Sequence, residues 1–128
     1  MDGSNVGMAM GRNEVFRAQA LTIVYAHFAK QKHEVVIFLP KSRWNRSAPK
    51  DRELLDRLEK KEILFYTPTR KTDTTCWDVY DDRYIVAYAA KQKGIIVTND
   101  NYRDLIAESD EFRDQIQNRL LKCSVPKL

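Results

Sequence analysis

At 128 residues the chain is a single domain spanning 1–128, and that length can bury roughly two thirds of its unfolded surface. Hydrophobic residues at 43% against 31% charged exclude a disordered chain, and no apolar run nears the ~18 residues of a membrane span. The net charge is +4, and two distant cysteines, Cys76 and Cys123, exclude a disulfide framework or a CxxC zinc site.

No signal-peptide pattern opens the sequence, and the cysteines read as reduced thiols in an intracellular protein. Charge alone is ambiguous. A Lys/Arg-rich solvated surface is the plain reading. If five aspartates are set aside in one pocket, the remainder is strongly basic, which suits a phosphate polymer held over metal ions.

Asp2-Gly3-Ser4-Asn5-Val6-Gly7 resembles a strand-to-helix turn, with only Met1 where a strand should precede it. Residues 13–31 predict a long helix with Phe16, Ala20, Ile23, Val24, His27 and Phe28 on its apolar stripe. His27 on that stripe reads as a core-edge histidine, and His33 as a solvated turn residue. Val35 to Leu39, ending at Pro40, predicts a buried strand. Residues 41–50 lack periodicity and predict a basic loop. Trp44 there could stack a base while Arg43 and Arg46 meet phosphates, as single-stranded nucleic acid requires; alternatively Trp44 caps the core.

Residues 50–61 predict a charged helix with Leu54, Leu55 and Leu58 inward. Ile63 to Tyr66 predicts a third strand, and 67–80 a loop carrying Arg70, Lys71, Cys76 and Trp77 that borders substrate. Asp81 or Asp82 opens the next helix, with Ile85, Tyr88 and Ala89 as its stripe. Ile95 to Val97 is an apolar run between Gly94 and the turn Thr98-Asn99-Asp100, the pattern of a strand buried on both faces. A short helix from about 101 to 107 carries Asp104. Residues 109–121 predict a last helix with Phe112, Ile116 and Leu120 inward, and Lys122 to Val125 a final strand.

Strands alternating with helices imply a three-layer α/β/α fold with a mostly parallel sheet. Ligands bind such sheets at the carboxyl edge of the strands. Three acidic clusters can reach that edge: Asp2, the pair Asp81 and Asp82, and Asp100 with Asp104. Asp at a helix start ordinarily caps the helix. Three such clusters at one edge point instead to a cation between them, because carboxylates repel without one. Mg²⁺, or Mn²⁺, takes oxygen ligands of this kind and activates water against a phosphate. No histidine is placed to serve a Ser or Cys nucleophile, and no Walker or GxGxxG motif is present.

The motifs Asp2-Gly3-Ser4-Asn5-Val6, the basic Trp loop, Leu58-Glu59-Lys60-Lys61-Glu62-Ile63-Leu64, Thr67-Pro68-Thr69-Arg70, Tyr80-Asp81-Asp82-Arg83-Tyr84-Ile85-Val86 and Gly94 to Asp104 follow one another in order. Together they resemble the NYN (PIN-like) domain of the Regnase-type, CCCH-zinc-finger-associated ribonucleases, over nearly the whole chain. The resemblance implies a PIN-like α/β fold and Mg²⁺-dependent endonucleolytic cleavage of single-stranded RNA, often mRNA, leaving a 5′-phosphate and a 3′-hydroxyl. It maps metal-site function onto Asp2, Asp81, Asp82, Asp100 and Asp104. It makes Asn5 the active-site asparagine that orients a ligand or the attacking water, and sets Arg70 and Lys71 near the RNA-contacting loop. A catalytically impaired RNA-binding or scaffolding domain in RNA silencing or mRNA decay is the alternative, and a DNA 5′-nuclease of related fold the third reading. The zinc finger of some relatives is absent from this sequence, as is the family's segment beyond Val125.

The family's first strand, which should precede Asp2, is also missing. Its loss should leave a slot in the sheet and Asp2 less well anchored than Asp81, Asp82 or Asp100. Either the sequence is a fragment or short isoform, or the fold closes the gap differently. The expected setting is cytoplasmic, with a nuclear site open, single-stranded RNA as partner, no membrane, and homo-oligomer or protein partners in RNA decay left open.

Overall fold

The computed structural model describes residues 1–10, 15–67, 70–72, 75–79 and 82–122. Helix α1 (Gly3–Met10) starts directly after Asp2, and α2 (Ala18–Lys30) packs against it. Strand β1 (Ile37–Pro40) runs into α3 (Lys41–Arg46) and α4 (Pro49–Lys60), and β2 (Leu64–Thr67) returns parallel to β1 with Ile37 opposite Leu64. After a hairpin of β3 (Arg70–Thr72) and β4 (Thr75–Val79) come α5 (Arg83–Gln92), β5 (Ile96–Val97), α6 (Arg103–Ile106), α7 (Asp110–Asn118) and β6 (Leu120–Leu121). β6 lies parallel to β5, with Ile96 opposite Leu120.

Two residues join these strand pairs. Phe38 N–H donates to Met1 O at 3.1 Å, and Asp2 N–H donates to Val97 O at 3.1 Å. Asp2 and Phe38 form a parallel bridge. The strand order across the sheet is therefore β2, β1, Met1–Asp2, β5, β6. Asp2 is thus held by main-chain pairing on both sides, which overturns the expectation that it is the poorly anchored carboxylate. A cavity of about 440 Å³ lies between Val35, Val36 and Ile95, Ile96, with Met1 and Tyr88 also on its wall. The Met1 ammonium donates to Val36 O at 2.7 Å there, and burial lowers its pKa to about 6.

Alternation along the strands feeds two cores. Ile37 and Leu39 join Val6, Leu21, Leu55 and Leu64 on one face, while Phe38 packs with Ile85, Val86, Ile96 and Ile116 on the other. β5 divides the same way, with Ile96 in the second cluster and Val97 in the first. Burial on both faces follows the pattern expected of a parallel sheet covered by helices.

Several local expectations are corrected. The stretch 41–46 is a helix, not loop. It lacks periodicity because tertiary contacts hold it: Trp44 Nε1 donates to Asp56 Oδ1 at 2.9 Å, and Arg52 Nε donates to Trp44 O at 3.0 Å. The stretch 67–80 contains paired antiparallel strands, consistent with the β-favouring Thr72, Thr75, Trp77 and Val79. In α2 the buried side chains are Ala18, Ala20, Leu21 and Val24, while Ile23 and His27 are exposed. His27 meets Gln31 and the edge of Phe28 instead of the core. In α5 Val86 is buried in place of Tyr88, which stands edge-on to Phe38. The last helix stops at Asn118, and the strand after it is 120–121; the expected strand beyond 122 lies outside the described residues.

Candidate active site

The local sequence explains why Asp2 stands where it does. It occupies the position before α1, and its Oδ1 accepts from Asn5 N–H at 3.3 Å, the geometry of an N-cap. Gly3 permits the close approach that follows, since a β-carbon there would lie 2.7 Å from Phe38 O. Asp2 is 2% exposed. Its Oδ2 accepts from the Tyr102 hydroxyl at 2.7 Å and from Thr98 Oγ1 at 3.3 Å.

The turn after β5 closes over this carboxylate. Thr98 Oγ1, while donating to Asp2, accepts from Asp100 N–H at 3.0 Å. Asp100 Oδ1 in turn accepts from Tyr102 N–H at 2.9 Å. Asn5 Oδ1 accepts from Asn99 N–H at 2.6 Å, tying α1 to the same turn. Lys122 Nζ donates to Asn99 O at 3.1 Å and to Asn101 Oδ1 at 2.6 Å, bracing the turn from β6. Burial, reinforced by the negative charge of Asp2, pushes the Tyr102 phenol far above its ordinary pKa, so it keeps its proton and donates.

The structure thus brings Asp2, Asn5 and Asp100 into one network. Asp82, half-buried at the start of α5, acts electrostatically on the same Tyr102 phenol, and its carbonyl accepts from Ile85 and Val86 N–H. Asp104 is exposed in the first turn of α6. Asp81 lies outside the described residues. Among the described residues no three His, Cys, Asp or Glu side chains gather closely enough to form a ready cation cage. The donor set still fits a hard divalent cation. It is oxygen throughout, and Mg²⁺ commonly needs only one or two carboxylates beside water and substrate phosphate.

The basic residues are less concentrated. Helix α3 leaves the carboxyl end of β1, at the edge where Asp2 stands. Arg43 there meets Met8 Sδ at 3.9 Å and the Phe16 ring at 5.4 Å, and Arg46 is exposed. Trp44 is half-buried, with the Lys41 ammonium 4.3 Å and the Arg52 guanidinium 4.6 Å from its ring centroid. Those cations occupy the ring that base stacking would use. Arg70 and Lys71 sit on β3 as backbone, and their side chains lie outside the described residues. Among the described residues no helix is long and apolar enough to cross a membrane.

Sequence reasoning missed Thr98, Tyr102 and Lys122 as site residues. Each lies beside an expected aspartate or at a strand end, but its partner is far away in the chain, so no local pattern marks it.

Comparison with known proteins identifies the family and the fold. Residues 1–127 match the Zc3h12a-like ribonuclease NYN domain. The chain is similar to endoribonuclease rege-1 of Caenorhabditis elegans, 38% identical over 128 residues, covering 94% of this chain and 20% of that protein. It also resembles the solved structure of Arabidopsis thaliana nuclear protein-only RNase P 2 (PRORP2), with a TM-score of 0.73 and 26% identity over 98% of this chain and 27% of that one. The chain therefore spans about a fifth of the curated relative's length. It belongs to the Zc3h12a-like ribonuclease NYN domain family, with the PIN-like α/β fold.

Proposed function

We propose that this ribonuclease NYN domain is a divalent-metal-dependent endonuclease of single-stranded RNA, mRNA foremost. The observation that carries the reading is Asp2, a carboxylate buried at the sheet's carboxyl edge and joined through Thr98 and Tyr102 to Asp100. Burying a charge is costly unless it is hydrogen-bonded, and a buried carboxylate held by specific partners at a sheet edge is a candidate for function.

Asp2 and Asp100 would hold Mg²⁺ or Mn²⁺, with Asp82 before α5 and Asp104 on α6, together with Asp81, completing the set. When bound, the ion supplies positive charge against the phosphate and lowers the pKa of a coordinated water. Asn5 keeps its side-chain oxygen on the Asn99 amide, so its role is to fix the turn that carries Asp100. Water adding to phosphorus with release of the 3′-oxygen leaves a 5′-phosphate and a 3′-hydroxyl. Arg43, Arg46, Arg70 and Lys71 would neutralise RNA phosphates, giving salt-sensitive affinity. Trp44 serves in this reading as the anchor of α3.

A second reading, an RNA-binding or scaffolding domain without turnover, is favoured by the lack of a three-carboxylate cluster among the described residues. One experiment separates the two: labelled single-stranded RNA incubated with Mg²⁺, Mn²⁺ or EDTA, beside Asp82→Asn. The nuclease reading expects metal-dependent products that the variant loses while still binding RNA. Intact RNA in every lane, from folded and RNA-bound protein, would establish the scaffold instead.

A further inference from the structure

Tyr102 has features that a plain core residue does not need. Tyr102 is 3% exposed and joins the cluster of Ile85, Ile96, Leu105 and Ile116. Phenylalanine would fill that space equally well. Its backbone is left-handed, with φ 48° and ψ 39°, which costs a non-glycine residue about 1–2 kcal/mol. The strained conformation lets one residue reach two carboxylates. Its N–H donates to Asp100 Oδ1 at 2.9 Å, and its hydroxyl donates to Asp2 Oδ2 at 2.7 Å. Its carbonyl accepts from Leu105 N–H at 3.0 Å, so α6 grows from the same point and fixes the residue in place.

We infer that Tyr102 is a positioning residue for the proposed reaction: it sets the orientation of the Asp2 carboxylate and its spacing from Asp100. The inference rests on the reading of Asp2 as a reactive carboxylate. Asp2 Oδ2 receives two hydroxyl protons, from Tyr102 and Thr98, while Oδ1 lies at the Asn5 amide. These bonds fix the carboxylate plane. Without the phenol, rotation about the Cβ–Cγ bond loses the shorter of the two hydroxyl contacts on Oδ2, and the one left there, from Thr98, is 3.3 Å long. A misdirected ligand of this kind lowers turnover more than substrate binding, because RNA is gripped elsewhere.

The test is Tyr102→Phe, with Tyr84→Phe as an exposed control, assayed by single-turnover cleavage, RNA KM and calorimetric Mn²⁺ titration. The expected result is a kcat reduced at least tenfold, RNA KM within twofold, and Mn²⁺ binding weakened about tenfold, with Tyr84→Phe unchanged. In an Asp2→Asn background Tyr102→Phe should add no further loss, since it acts through Asp2. A merely structural tyrosine would lower both backgrounds alike. Should Tyr102→Phe fail to fold, Thr98→Val removes the other proton on the same oxygen and decides the matter by the same readouts.

Metal-dependent cleavage that Tyr102→Phe retains within twofold would overturn the inference alone. Cleavage by the parent chain that EDTA leaves intact would overturn the metal reading, and the kcat loss and the double variant would still judge Tyr102. A parent chain that neither cuts RNA nor binds Mn²⁺ would overturn both.

Discussion

Asp2 and Asp100 belong to one hydrogen-bond network yet stand in opposite environments. Asp2 is 2% exposed, pinned through its main chain to β1 and β5 and through its side chain to the Asn5 amide and the Thr98 and Tyr102 hydroxyls. Asp100 is exposed on a turn whose shape it helps to set by accepting from Tyr102 N–H. One carboxylate is part of the scaffold, and the other stands at the solvent edge of it. The difference teaches that a site of this kind separates rigidity from access. In the proposed reaction the fixed group would set the geometry, and the exposed group would meet whatever arrives there.

The sharpest way to break this comparison is Asp2→Ala. It removes the cap of α1 and strands the Thr98 and Tyr102 hydroxyls, so stability should fall by about 3 kcal/mol, and cleavage by more than about a thousandfold. Thermal unfolding and single-turnover cleavage of the same preparation measure both. Next comes Asp100→Asn, which preserves the turn's acceptor oxygen. Cleavage should drop about a hundredfold while the melting temperature moves by less than about 2 °C. If Asp100→Asn unfolds the protein as readily as Asp2→Ala, the division into scaffold and solvent-edge carboxylates is wrong.

A smaller effect sharpens the scaffold side. In the 128-residue chain with its free amino group, the Met1 ammonium titrates at about 6 when folded, against an ordinary 8.0. Between those values the unfolded chain binds the extra proton, so stability should rise as the pH climbs from 6 to 8, by about 2 kcal/mol at most. Guanidinium midpoints at pH 5.5, 7 and 8.5 measure it. A midpoint that falls across this range would show that the buried amine does not govern the end of the Met1–Asp2 pairing.

Much of the fold is legible in the sequence because it is written in neighbouring residues. Ile96 and Val97 announce a strand buried on both faces, Leu55 and Leu58 the inner face of α4, and Ser109 a helix start that its side chain caps by accepting from Phe112 N–H at 3.1 Å. Asp2 and Asp100 of the candidate site stand out in the sequence for the same reason, as acidic residues in short turns. What is not legible depends on distant partners. Nothing near Lys41 to Arg46 marks a helix, because Asp56 and Arg52 hold it. Nothing near Met1 tells that its carbonyl will accept from Phe38 N–H, so Asp2 reads as loose when it is buried and paired through its main chain. Tyr102 reads as part of a motif, and its work becomes visible only beside residue 2.

That distance also fixes when, in the life of each molecule, the site can exist. The bonds joining Asp2 to Thr98 and to Tyr102 span 96 and 100 positions. Contacts of such range close late, after the local helices and turns have formed. A chain emerging from the ribosome presents Asp2 first and lacks its braces until most of the domain has been made. During that interval, with its own messenger and ribosomal RNA at hand, the growing polypeptide holds no assembled pair of carboxylates.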